Sequence, residues 1–240
     1  MNGLWIALGF LTRLPVPMTA YDDVRSKASS LAWYPLVGLL IGLLLGALAW
    51  VLRDTASLLS AGIVVAAWVV LTGALHLDGL ADSADAWIGG LGDREKTLTI
   101  MKDPRCGPAG VVALVLALLL KFAALASMHP APWSALILAP LLARASLTAL
   151  FLTTPYVRGG GLGAALSSAP RNACAVALAI SAGFCVLGRW HGLLALAAAT
   201  LVFVVWRHAC LKRLGGVTGD TAGALAEMVE VAVLIALTVR

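Results

Sequence analysis

Asp78, Asp82 and Asp85 stand within eight residues of one another in HLDGLADSADA (His76–Ala86), directly after an apolar run. On a helix turning about 100° per residue they project at about 0°, 40° and −20°, so all three share one narrow face. Only Ala, Ser, Gly and Leu separate them, and no basic residue stands one turn away to neutralise them. Carboxylates that close repel one another unless a cation sits among them. A hard divalent ion such as Mg2+ takes oxygen ligands of this kind. The spacing predicts a metal site built on Asp78, Asp82 and Asp85; a solvated acidic face is the bland alternative.

Three further stretches carry groups suited to phosphate. In MKDPRCGPAG (Met101–Gly110), Lys102 and Arg105 bracket Asp103, and the Gly/Pro run leads into another apolar stretch. Basic side chains beside a glycine-rich helix start make a phosphate or pyrophosphate seat; an anchor for a membrane helix is the competing role. Arg158 precedes Gly159-Gly160-Gly161-Leu162-Gly163, where backbone can approach a ligand closely or simply flex. It is not GxGxxG after a strand. In LGGVTGDTAGALAE (Leu214–Glu227), Thr218 or Asp220 can cap a helix start. Glu227 and Glu230 follow inside an apolar run, where a carboxylate is costly and faces a polar cavity, a cation or a basic partner. Lys121 and Arg144 are the candidate partners. Arg13, in FLTRLPVP (Phe10–Pro17), is either a stop signal or a phosphate contact. His76 projects about 160° away from the aspartates on a continuous helix, which suits packing or capping as well as ligand binding.

The elements that must position these groups are membrane helices. Of 240 residues 61% are hydrophobic and 12% are charged, against about 25% charged in soluble domains. The chain reads as an all-α, polytopic bundle in a lipid bilayer, a single domain of about seven spans. The spans are Leu31–Leu52, Leu58–Leu77, Gly110–Met128, Trp133–Phe151, Ala173–Gly188, Gly192–Trp206 and Ala224–Val239. The fifth and sixth are short for a full crossing and suit a hairpin. A short interfacial helix precedes them, too short to span and without the basic start of a signal peptide. With the N-terminus in the cytoplasm, twelve basic residues fall inside and three outside, a positive-inside bias that places every motif on the cytoplasmic face. That bias accounts for the net charge of +5 without nucleic acid. The four cysteines show no CxxC spacing, and Cys174 and Cys185 read as small core residues. Tryptophans such as Trp33, Trp50, Trp133 and Trp206 fit an aromatic belt.

HLDGLADSADA, IMKDPRCGPAG and LGGVTGDTAGALAE, in that order, resemble the motifs of the cobalamin synthase family, and the resemblance runs from FLTRLPVP to the last span. Those enzymes are adenosylcobinamide-GDP ribazoletransferases of the cell inner membrane. The resemblance implies transfer of adenosylcobinamide-GDP to alpha-ribazole or its 5′-phosphate, with Mg2+ required and GMP released. It then assigns Asp78, Asp82, Asp85 and Glu227 to the metal, Lys102 and Arg105 to a phosphate clamp, and Asp82 or Asp103 to proton transfer. His76, Arg13, Arg158, Gly219 and Asp220 fall to substrate binding. Two other classes compete. A cation transporter would use the intramembrane acids, but most carboxylates here gather at one face. A CDP-alcohol phosphotransferase shares Asp-Gly-x-Ala, yet its pattern wants Asp where Leu75 stands and Arg where Asp82 stands.

Overall fold

A computed structural model describes residues 2–17, 24–128, 133–159 and 161–238. The order is α1 (Asn2–Leu11), α2 (Val24–Ser29), a 3-10 turn (Ser30–Trp33), α3 (Tyr34–Val51), α4 (Ser57–Thr72), α5 (Leu75–Gly89), α6 (Arg94–Ile100) and α7 (Pro108–Ser127). Then come α8 (Trp133–Thr153), α9 (Gly161–Leu166), α10 (Arg171–Leu187), α11 (Arg189–Leu214) and α12 (Gly219–Thr238). Among the described residues there is no strand; one parallel bridge joins Tyr156 to Val217. The fold is an all-α, polytopic bundle.

The span count differs from the seven expected. Five helices are long and apolar enough to cross a membrane, and a sixth span exists if α4 and α5 count as one. The expected span Leu58–Leu77 breaks at Gly73 and Ala74, both left-handed (φ 63° and 57°). Two such residues stop the 3.6-residue ladder, and α5 leaves α4 at 89°. The acidic motif therefore begins a new helix. The expected fifth span is a helix of 17 residues, Arg171–Leu187, shorter than the five counted as spans, whereas its partner α11 extends to 26 and is one of them.

α8 is the axis of the bundle, and nearly every residue from Ala135 to Leu150 is buried. α3 reaches it through Gly38, Gly42 and Gly46, spaced by four and so on one face. A Cβ on Gly42 would sit 2.7 Å from Ile137 Cα, and one on Gly46 2.6 Å from the Trp133 ring. Without a hydrophobic drive between helices in lipid, close backbone approach through small residues supplies the packing energy. The contacts run down α8 as they run up α3, so the two are antiparallel.

Arginines tie the helix ends at the other side of the molecule. Arg213 donates to Trp87 O near the end of α5, Arg94 to Leu214 O at the end of α11, and Arg171 and Arg207 to Leu152 O and Thr153 O of α8. Arg13 donates to Gly73 O just past α4, and Arg158 to Met101 O just past α6. Each satisfies carbonyls that a helix end leaves without a partner, with a cation matched to the negative end of the dipole. The Asp93–Lys96 turn is thus more than solvated surface: Arg94 caps α11, and Asp93 caps α6 through Lys96 N (2.6 Å).

Candidate active site at the acidic helix

α5 carries the three aspartates on one side, as the spacing predicts. Asp78 is exposed; Asp82 and Asp85 are half-buried. Their surroundings differ. Asp85 accepts Gly107 N (2.7 Å) and Gly110 N (2.9 Å), so it caps the start of α7 from another helix. A Cβ at Gly107 or Gly110 would fall 2.6 or 2.5 Å from those oxygens, which is why this turn is GPAG. The side chains of Asp78 and Asp82 have neither a hydrogen bond nor an ion pair among the described residues. The charges of Asp78, Asp220, Arg158 and Asp85 all act on Asp82.

α12 starts against the neighbouring face of α5, that of His76 and Gly79. A Cβ on Gly79 would meet Asp220 O at 2.7 Å, and Gly223 lies against His76. Thr218 caps α12 reciprocally with Thr221: Thr218 N donates to Thr221 Oγ1 (2.8 Å) and Thr221 N to Thr218 Oγ1 (3.2 Å). Asp220 is therefore released from capping, and Arg158 Nη1 pairs with its Oδ2 at 2.9 Å. Arg158 also holds Met101 O, and Val157 N donates to Val217 O (3.0 Å). The Met101, Arg158 and Gly215–Asp220 loops thus meet beside α5. Trp206, read from sequence as a belt residue, belongs here too: it stacks on Trp87 at 4.8 Å and donates to Thr221 O (2.8 Å).

Other expected residues have different surroundings. Arg105 folds back on Asp103 with two bonds of 2.9 and 2.7 Å. Those bonds hold the Asp103 carboxyl down to about 2, a weak proton acceptor. Lys102 is exposed. Arg13 packs on the Gly73 break, just before α5, through Gly73 O at 3.4 Å. Glu227, expected among the metal ligands, is instead bonded to Lys121 Nζ at 2.6 Å. It lies seven residues beyond Asp220 on α12, roughly 10 Å along the axis. Lys121 also binds Glu230 (2.5 Å), Glu230 pairs with Arg144, and Arg144 Nη2 reaches His76 Nδ1 at 3.4 Å. Two cations and two carboxylates close a buried, charge-balanced network across α5, α7, α8 and α12.

Among the described residues no three His, Cys, Asp or Glu side chains converge as a complete cage for a metal. Mg2+ is ordinarily held by one or two carboxylates together with water and substrate phosphates. Asp78 and Asp82, adjacent on one face and unpartnered, fit that need. Beside them a cavity of about 160 Å³ enters the bundle between α1, α3, α5, α8, α9 and α12, with Asp78, Gly219 and Asp220 in its wall and His76 deeper.

The family model described as cobalamin-5-phosphate synthase matches residues 3–238. The chain belongs to this family. A synthase-family relative from Pseudomonas fluorescens (strain Pf0-1), named adenosylcobinamide-GDP ribazoletransferase, is 55% identical over 240 residues, 99% of each chain. Proteins of the same name from Stutzerimonas stutzeri (strain A1501) and Pseudomonas putida (strain KT2440) are also 55% identical, over 100% and 99% of this chain and 99% and 98% of theirs. No solved structure matches. Within the synthase fold, sequence reasoning missed the Gly107/Gly110 cradle of Asp85, because that contact spans 22 to 25 residues. It also missed Phe10, Tyr34 and Phe151, which line the cavity.

Proposed function

We propose that the chain catalyses the ribazole transfer for which its relatives are named. A ribose hydroxyl of alpha-ribazole, or of its 5′-phosphate, attacks the phosphorus that carries the corrinoid arm of adenosylcobinamide-GDP. A new P–O bond forms, the bond to the bridging oxygen of the diphosphate breaks, and GMP leaves with that oxygen. The hydroxyl proton passes to Asp82, the half-buried carboxylate with no partner; Asp103 is too weak a base for this. Asp78 and Asp82 would hold Mg2+, which would supply charge neutralisation on the diphosphate and the departing phosphate. Lys102 supplies a free ammonium to phosphate oxygens, and Arg105 joins it by exchanging Asp103 for phosphate. Arg158, poised on Asp220, sets the far side of the same opening.

The observation that carries this reading is the pair of unpartnered aspartate side chains, Asp78 and Asp82, where the cation-bearing Met101 and Arg158 loops meet the Gly215–Asp220 loop. A transporter reading has less support, since Glu227 and Glu230 are both bonded to Lys121 inside the bundle. The site belongs on the cytoplasmic face of the cell inner membrane, where the basic loops are retained and phosphorylated, water-soluble substrates are available. The test is to incubate purified protein with adenosylcobinamide-GDP, alpha-ribazole phosphate and Mg2+ and to measure GMP. Absence of GMP with every divalent metal tried rejects the reading.

A further inference from the structure

α10 is held to the bundle along a thin line. Its buried residues are Cys174, Ser181 and Cys185, spaced by seven and four and so on one face. A groove lies on each side of that line, one of about 110 Å³ against α3 and one of about 140 Å³ against α8 and α11. The larger is walled by small residues, Ala145 and Ala149 of α8, Ala182 of α10 and Ala199 of α11. Its lining runs from Leu142 to Ala149 on α8 and from Leu196 to Phe203 on α11. That is about 10 Å along each axis, less than one leaflet of a ~30 Å hydrocarbon core. The hydroxyls of Ser181 and Thr200 in the wall donate to Ala177 O (2.8 Å) and Leu196 O (2.7 Å) of their own helices, so water would find few partners there. Left empty, the groove would forfeit the contacts of its lining.

The faces that line this groove continue into cations. Arg207 follows Phe203 by one turn, Arg171 precedes Leu178 by two, and Leu152 and Thr153 follow Ala149 by one. Arg171 Nη2 donates to Leu152 O (3.3 Å), while Arg207 donates to Thr153 O from Nη2 (2.6 Å) and to Thr154 Oγ1 from Nε (3.0 Å). Two guanidinium groups therefore converge on the end of α8, and both keep further N–H groups uncommitted. Neither has an acidic partner among the described residues, and α10 and α11 contain no Asp or Glu. We infer that the groove is a binding site for an anionic phospholipid, with one acyl chain between α8, α10 and α11 and the headgroup phosphate on Arg171 and Arg207. The uncommitted N–H groups suit phosphate oxygens, which a planar guanidinium meets in pairs. A second copy of the chain fits the same face less well. A two-fold contact between copies of the same orientation would bring these arginines toward one another with no acid between them. The lipid completes the packing of α10, a helix shorter than the spans beside it.

Native mass spectrometry of the purified full chain in detergent tests this, with dioleoyl phosphatidylglycerol and dioleoyl phosphatidylcholine as probes. Their acyl chains are the same, so the headgroup alone distinguishes them. The wild-type protein should retain one phosphatidylglycerol per chain at a concentration about tenfold below that needed for phosphatidylcholine. Arg171→Gln together with Arg207→Gln should abolish that preference. Ala182→Leu, which fills the groove from α10, should weaken phosphatidylglycerol binding about tenfold. Ala179→Leu, the same change on the exposed side of α10, should leave it within about twofold. Equal retention of the two lipids by the wild type overturns the inference. A phosphatidylglycerol preference that Ala182→Leu leaves intact overturns it as well, since charge alone would then hold the lipid outside the groove. So does a dimer that Ala182→Leu dissociates, which would make the groove an interface between copies. Thr200→Leu, at the exposed lip of the groove, replaces Ala182→Leu if that variant fails to fold.

Discussion

Asp78 and Asp85 carry the same side chain two helical turns apart, yet their surroundings give them separate work. Asp85 spends both oxygens on the α7 start, whereas Asp78 is exposed and unpartnered. Asp85→Asn weakens a cap, which costs about 0.5–2 kcal/mol, so its melting temperature in detergent should fall by a few degrees. Asp78→Asn should leave that temperature unchanged or higher, cut turnover at least about tenfold, and raise the Mg2+ concentration needed for half-maximal rate. Asp82→Asn should lose as much turnover, because it also removes the proton acceptor. Equal melting losses at all three positions would erase the division. Asp103 gives a pH test. Its folded pKa is depressed to about 2 by Arg105, so whatever its ion pair contributes is present above the unfolded value near 4 and is lost as pH falls through about 2. Neither Asp103, lowered to about 2, nor Arg105, raised from its ordinary value, changes charge between about pH 5 and 9. The pH–rate profile of Asp103→Asn should therefore keep the wild-type shape; a lost acidic limb would return Asp103 to the role of base.

At the level of helices, the buried charges decide how α5, α7, α8 and α12 come together. Lys121 binds both Glu227 and Glu230. Removing one partner of such a group strands a charge, at roughly 3–5 kcal/mol. Lys121→Met should therefore collapse the folded yield measured by size-exclusion chromatography. Lys121→Met with Glu227→Gln should recover most of it, since Arg144 still answers Glu230. Failure of the double variant to recover would mean that packing of Lys121 on the Trp68 ring, at 4.7 Å, matters more than its charge. These pairings were legible in the sequence because carboxylates and cations inside apolar runs have few ways to be satisfied. The aspartate face was legible too, since helical spacing fixes it locally. The elbow before it was not: Thr72-Gly73-Ala74-Leu75 continues an apolar run, and only the left-handed backbone of Gly73 and Ala74 turns the chain. The Arg105–Asp103 pair was not legible for a nearby reason: Asp-Pro-Arg lets the guanidinium close on its own neighbour.

For the whole molecule, sidedness is testable without mutation. Cys106 is exposed beside the acidic helix, while Cys174, Cys185 and Cys210 are buried. An impermeant thiol reagent should label one cysteine per chain, and only from the cytoplasmic side; labelling from outside inverts the orientation. The arginine caps have a consequence for how the molecule opens. Six arginines bind the carboxyl ends of helices, and each comes from a segment other than the one it caps. A helix end that frays alone normally exchanges its amide hydrogens quickly, with an opening free energy near zero. Here the last turn of α5 is held from α11, the last turn of α11 from the α6 start, and the last turn of α8 from α10 and α11. No single end can loosen without breaking a bond that belongs to another helix, so these turns should exchange as one slow unit. Arg213→Ala would then accelerate exchange near Trp87, more than 120 residues away in the chain.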